Sequence, residues 1–271
     1  MAEKDIPNPS SALAYFLIIT IIYVFFTIFS LYSSSTIRDI DNSKSNVIYN
    51  FIYIIIILIG TYMINLNTTK AICDTNVIQW SSIFFITLLP WIIIFFVLYF
   101  ILEIFPGWVK PFSNTIGYAI VDFLGASRTM QNILPKKPGE DKELKKAINN
   151  IEKNYSKFIN EIDVTENDYQ SFVKRLFKED MVDPSIGSTP EKLEGNKLII
   201  ELFRLVNIKH IIGKVVWYIL AGILISSITY NFIINITCEN TLDNIRKKQK
   251  KIIEEGDGSQ KLQTDIFNRN G

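Results

Sequence analysis

The chain has 271 residues, of which 48% are hydrophobic and only 20% charged, with 28 Lys and Arg against 27 Asp and Glu for a formal net charge of +1. The apolar residues are gathered into long blocks rather than spread through the chain, which points to an integral membrane protein, and the near-neutral balance argues against nucleic acid as a partner. A single histidine, His210, and two cysteines, Cys73 and Cys238, leave too few side chains for a zinc site or a Cys-His nucleophile pair, so neither an enzyme nor a bound cofactor is expected.

After a polar start with Glu3, Lys4 and Asp5, residues 12–31 form a nearly unbroken apolar run, close to the ~20 residues that a bilayer requires. A secretory signal would have a shorter apolar region, so this run reads as a retained first span. Residues 37–46 are a short polar connection holding Arg38, Asp39, Asp41 and Lys44, and residues 47–66, rich in isoleucine, are a second span. A polar loop over 67–79 carries Lys70, Cys73 and Asp74 before a third span over 80–105, whose one charged residue is Glu103 and whose Pro90 predicts a kink.

The third span ends at Pro106-Gly107-Trp108-Val109-Lys110-Pro111. Proline has no N–H for the helical ladder, glycine tolerates positive φ, and tryptophan and lysine are residue types that sit where hydrocarbon meets water. Pro106, Gly107, Trp108, Lys110 and Pro111 are therefore the expected interfacial anchor, with the membrane boundary near residue 106. Residues 114–124 are apolar again but too short to span and are interrupted by Gly117 and Asp122, which predicts an interfacial or re-entrant helix lying against the bilayer.

From Pro135 the composition turns polar. Leu144, Ile148, Ile151, Tyr155, Phe158 and Ile162 alternate spacings of four and three, the stripe of a helix packed on a partner helix. Thr165 with Asp168 resembles a capping box opening a second helix, and Ser188-Thr189-Pro190-Glu191 is a third helix start, with proline at the first helical position. That third helix is predicted to run on from Pro190 into a fourth span. The expected architecture is all-α: residues 1–134 hold three transmembrane helices plus the interfacial segment, 135–210 form a small soluble helical domain, 211–237 are the fourth transmembrane helix, and 238–271 are a basic, partly disordered tail containing Arg246-Lys247-Lys248-Gln249-Lys250-Lys251.

Four spans place Cys73 and Cys238 on the same face of the membrane. A disulfide between them is geometrically allowed if the second and fourth spans are neighbours, and two unpaired thiols in a reducing compartment are the equal alternative. Lys and Arg are balanced across the two faces, so orientation is not assigned by charge. Thr115-Ile116-Gly117-Tyr118 has the look of a potassium-filter loop but lacks its second glycine. Glu103, Asp122 and Lys214 lie beside the inferred boundaries, where anchoring at the interface is the simpler role than an ion site. The spans are read as offering little polarity at depth beyond Ser226, Ser227 and Thr229 in the fourth.

The segment Phe105-Pro106-Gly107-Trp108-Val109-Lys110-Pro111-Phe112-Ser113-Asn114-Thr115-Ile116-Gly117-Tyr118, following directly on an apolar span, resembles a segment of virion membrane proteins of large DNA viruses that infect algae and protists. The resemblance covers roughly residues 80–130. It implies a structural component akin to the multi-span minor capsid proteins, with membrane lipids and capsid proteins as partners, homo- or hetero-oligomers, and residence in the internal virion membrane and the host endoplasmic-reticulum-derived membrane that supplies it. The function expected on this basis is that of a structural protein anchoring or scaffolding an assembly at a bilayer. An ion channel or transporter subunit is the alternative, and it would require polar or charged groups at mid-membrane depth.

Overall fold

A computed structural model describes residues 10–44, 47–73, 80–136 and 141–234, all helical or in short connections. Among them, four helices are long and apolar enough to cross a membrane. The first two are α1 (Ser10–Ser33) and α3 (Val47–Cys73), and between them lies a short helix, α2 (Ile37–Lys44). The third span is composite: α4 (Trp80–Pro90) passes through a π-helical turn at Trp91–Phe96 into α5 (Val97–Ile104). Pro90 supplies no N–H to the ladder, and the wider π turn directly after it is where the chain absorbs that loss. The fourth span belongs to α13 (Lys197–Ile234), whose 38 residues make it the longest helix described. At ~1.5 Å per residue such a helix is far longer than a ~30 Å hydrocarbon layer needs, so its first turns stand outside the bilayer.

Ile18, Ile21, Phe25, Phe26 and Phe29 on α1 and Phe84, Phe85, Ile92 and Phe96 on the third span are exposed, the surface that lipid would cover. Facing inward, Phe16, Ile57, Trp91, Phe95 and Ile225 are buried, with ring centroids 5.4 Å apart for Phe16 and Trp91 and 5.5 Å for Trp91 and Phe95. Small residues let α13 approach: a Cβ placed on Gly222 would fall 2.1 Å from the Phe16 ring.

The polar helices are punctuated by side-chain caps. The connection after α1 is itself helical, because Thr36 Oγ1 accepts the Asp39 N–H at 3.1 Å to open α2, which buries Ile37 and Ile40. The stripe from Leu144 to Ile162 is two helices, α9 (Lys142–Lys153) and α10 (Tyr155–Asn160), because Asn154 leaves helical geometry and its Oδ1 accepts the Lys157 N–H at 3.1 Å. Thr165 caps α11 (Glu166–Lys178) as its sequence suggested, accepting the Asp168 N–H at 3.3 Å. The predicted unbroken helix from Pro190 does not form. Instead α12 (Pro190–Glu194) stops at Gly195, and Asn196 Oδ1 accepts the Leu198 N–H at 2.8 Å to start α13 afresh.

One hydrophobic core runs from Leu31, Ile37 and Ile40 through Met130 and Ile133 to Ile148, Ile159, Tyr169, Val173 and the first half of α13. The polar helices thus share their core with the end of the first span, and they sit on the bilayer face reached by Ser33 and Ile104.

Candidate functional site at the membrane junction

The segment after the third span is the first part of the junction. Pro106–Trp108 form a single 3-10 turn, closed by the Trp108 N–H on Phe105 O at 3.0 Å, and the chain then continues helically through α6 (Lys110–Phe112), a π turn at Ser113–Gly117 and α7 (Tyr118–Phe123). It packs lengthwise and antiparallel along α13. Trp217 Nε1 donates to Trp108 O at 2.8 Å, a Cβ on Gly213 would meet Ser113 N at 2.8 Å, and a Cβ on Gly117 would meet Lys209 O at 2.5 Å. The interfacial or re-entrant helix expected for residues 114–124 is therefore clasped to α13, because small residues at Ser113, Gly117 and Gly213 allow backbone-to-backbone approach. Val109, Ser113, Gly117 and Val121 form the buried side. Trp108, Ile116, Ile120 and Phe123 are exposed on the other, where apolar residues at helical spacing suit a lipid boundary.

All five residues of the expected anchor, Pro106, Gly107, Trp108, Lys110 and Pro111, are exposed. Trp108 and Phe112 lie 6.1 and 5.0 Å from the Trp217 ring, an aromatic cluster that only the tertiary structure assembles. The filter-like residues Thr115-Ile116-Gly117-Tyr118 are helical, with Thr115 Oγ1 donating to Pro111 O at 2.6 Å, so they present no extended array of carbonyls. Gly117→Ala should lower stability by about 1–3 kcal/mol, the usual cost of forcing atoms into a filled contact. Gly107, which has open space around it, supplies the control. The thermal unfolding temperature of the purified chain in detergent checks this, and equal shifts for Gly117→Ala and Gly107→Ala would refute the close contact.

Two basic residues fasten the polar helices to the spans. Arg204, nearly buried, donates from Nε to Leu31 O and from Nη2 to Ser34 O, each at 3.0 Å, and its Nη1 pairs with Glu201 one turn away. The guanidinium caps the carbonyl end of α1, where a helix dipole favours a cation. Lys209 is buried, and its Nζ donates to Asn160 Oδ1 at 3.0 Å, Asn114 Oδ1 at 3.2 Å and Ile159 O at 3.3 Å. Three neutral oxygens from two different segments thus use the three donors of one ammonium.

Polarity also reaches into the spans. Tyr23 OH donates to Asn50 Oδ1 at 2.7 Å, Thr20 Oγ1 and Tyr53 OH share a hydrogen bond at 2.9 Å, and Asn65 Nδ2 donates to Thr87 Oγ1 at 3.0 Å. Ser226 Oγ and Thr229 Oγ1 are buried without a protein partner among the described residues. The reading of the first three spans as nearly free of polarity is corrected by these contacts. Its missed signal was the helical spacing of Tyr53, Thr61, Asn65 and Thr69 along α3, all buried on one face. Glu103 and Lys214 form an ion pair at 2.6 Å on the wall of a cavity of about 390 Å³, which His210, Tyr23, Tyr99 and Tyr218 also line. Asp122, the other acidic candidate, accepts from Ser127 Oγ in a local link between α7 and α8 (Ala126–Ile133).

Cys73 is the last residue of α3, whereas Cys238 and the basic run at 246–251 lie outside the described residues, so the proposed Cys73 to Cys238 bond falls there too. No protein-family model, curated protein or solved structure matches the chain.

Proposed function

We propose that this chain is a structural membrane protein, held in a bilayer by four helices while its polar helices present a charged surface on one face to a partner protein. The observation that supports this best is the fastening at the junction. Arg204, Lys209 and Trp217, all on one helix, bond respectively the end of α1, the α10 region and the turn after the third span. A pull on the polar helices is thereby delivered to several spans at once, as anchoring requires. The resemblance of residues 80–130 to virion membrane proteins supplies one candidate partner, a capsid shell, and with it the internal virion membrane and its endoplasmic-reticulum source as the site.

Co-purification tests the reading. Charge reversal at Lys145, Lys146 and Glu152 on the exposed side of α9 should release the partner by about tenfold, a loss typical of mismatched interfacial charge, while the chain stays in the membrane fraction. A partner retained undiminished, or no stoichiometric partner from intact particles or membranes, would count against it.

The alternative, an ion channel or transporter subunit, draws on the polar groups inside the spans. Along each span, however, the apolar layer of Phe16, Ile57, Trp91, Phe95 and Ile225 falls between the Tyr53 cluster and the Asn65 cluster, and it offers an ion nothing to replace its water. Liposomes containing the purified chain should pass no more ions than empty ones. Reproducible ion-selective current would promote the alternative.

A further inference from the structure

The cavity at the junction has a lateral side. Its walls include Asn50 on α3 and Tyr99 and Glu103 on α5, and although α3 packs on α1 and α4 it makes almost no contact with α5, so the second and third spans part on this side of the bilayer. One helical turn deeper on the same two spans, Ile54 follows Asn50 and Phe95 precedes Tyr99. There a second, wholly apolar groove of about 230 Å³ opens between α3 and the π turn, bounded by Ile54, Leu58, Ile92, Phe95 and Phe96. Ile92 and Phe96 are exposed on its lipid-facing rim.

The two spaces differ in chemistry. The upper one offers a carboxylate and an ammonium side by side, Glu103 Oε1 and Lys214 Nζ, together with tyrosine rings and hydroxyls. The pair uses one of three ammonium donors and one of two carboxylate oxygens, and both side chains remain partly exposed. The lower space offers aliphatic and aromatic carbon alone. A polar chamber of both signs at the membrane boundary, with a separate apolar groove one helical turn deeper between the same two spans, matches the headgroup and acyl chain of a phospholipid in order and spacing.

We propose that the junction binds one glycerophospholipid whose headgroup carries both a phosphate and an ammonium, seated between α3 and the third span. Lys214 faces the phosphate, Glu103 faces the ammonium, and tyrosine rings flank the cation, which an aromatic face attracts. One acyl chain lies in the groove over Ile54, Ile92 and Phe95. The lipid fills the gap that the helices leave open and gives the ion pair polar partners within a region of low dielectric, where isolated charges are costly. This binding is independent of any protein partner of the polar helices.

The full chain, reconstituted in nanodiscs of equal phosphatidylethanolamine and phosphatidylglycerol and then extracted in mild detergent, should retain about one phosphatidylethanolamine, enriched roughly tenfold over phosphatidylglycerol by native mass spectrometry. The double variant Glu103→Gln/Lys214→Met, which leaves no unpaired charge, should return the retained lipid to the bulk ratio. Ile92→Trp, which fills the groove from its exposed rim and leaves the core untouched, should abolish retention of a tightly held lipid; its unfolding temperature confirms the fold. Retention of both lipids in the bulk ratio by the unaltered chain overturns the proposal, as does enrichment that survives Ile92→Trp. Should the double variant fail to fold, Ile92→Trp alone decides.

Discussion

Arg204→Met is expected to destabilise the chain more than any other single substitution at the junction, by about 2–4 kcal/mol. The guanidinium is the shared donor for two carbonyls at the end of α1, Leu31 O and Ser34 O, and its own side chain is only 12% exposed. Charge-assisted hydrogen bonds of this kind are each worth about 1.5–3 kcal/mol, and truncation also leaves the carbonyls short of donors in a place where little water can replace them. Methionine fills much of the space but donates nothing, and Glu201 is left without its Nη1 partner. For a chain of this size the loss corresponds to a fall of roughly 4–7 °C in the unfolding temperature of the detergent-solubilised protein. Arg204→Lys should lie between the two, since one ammonium keeps the charge but cannot reproduce the planar fork that reaches both carbonyls. A shift of less than about 2 °C for Arg204→Met, on the same scale, would show that the contact contributes little.

Asn160→Leu should be nearly as damaging, by about 3 kcal/mol, and for a reason that makes it reversible. Asn160 Oδ1 is the nearest of the three acceptors around the Lys209 ammonium, and its Nδ2 donates to Asn114 O at 3.3 Å. Leucine removes both bonds and leaves a buried cation with two neutral acceptors and an apolar neighbour. Removing one partner of a buried charge typically costs about 3–5 kcal/mol, whereas replacing the whole group by apolar residues is often neutral. Lys209→Met alone should cost less, about 1–2 kcal/mol, because it takes the donor from three oxygens but leaves no buried charge, and Lys209→Met/Asn160→Leu should recover part of what Asn160→Leu loses. Thermal unfolding of the four proteins in one double-mutant cycle measures the coupling, which contacting residues set at about 0.5–3 kcal/mol. Strictly additive effects would mean that the ammonium does not depend on Asn160.

The all-α class and the membrane location were legible in the sequence because both follow from one-dimensional pattern. Long apolar runs cannot be solvated and must span, and within a bilayer a helix satisfies every backbone group internally. Local punctuation was legible where the cap is a side chain acting within three residues, as at Thr165, and it was overlooked at Asn154 and Asn196, whose amide oxygens stop and restart helices that hydrophobic spacing alone runs together. Pro90 was placed correctly as a disturbance, while the π turn that absorbs it belongs to the three-dimensional helix.

What the tertiary structure decided is which polar residues meet. Lys209 reads in the sequence as one more cation beside a span, and Arg204 as another. Nothing local places the first against Asn114 and Asn160 or the second under the end of α1, contacts that join residues 49, 95 and 173 positions apart. Gly117 has the appearance of a filter residue until its position against the Lys209 carbonyl shows that lack of a side chain is its contribution. Periodicity in a span distinguishes lipid-facing from inward-facing positions only when the polar residues are counted by face, so Tyr53, Thr61, Asn65 and Thr69 disappear in a total dominated by isoleucine. Hydropathy sums along the chain and carries no direction across it. Direction comes from packing, which turns the same residues into an apolar exterior, a plugged interior and a polar junction.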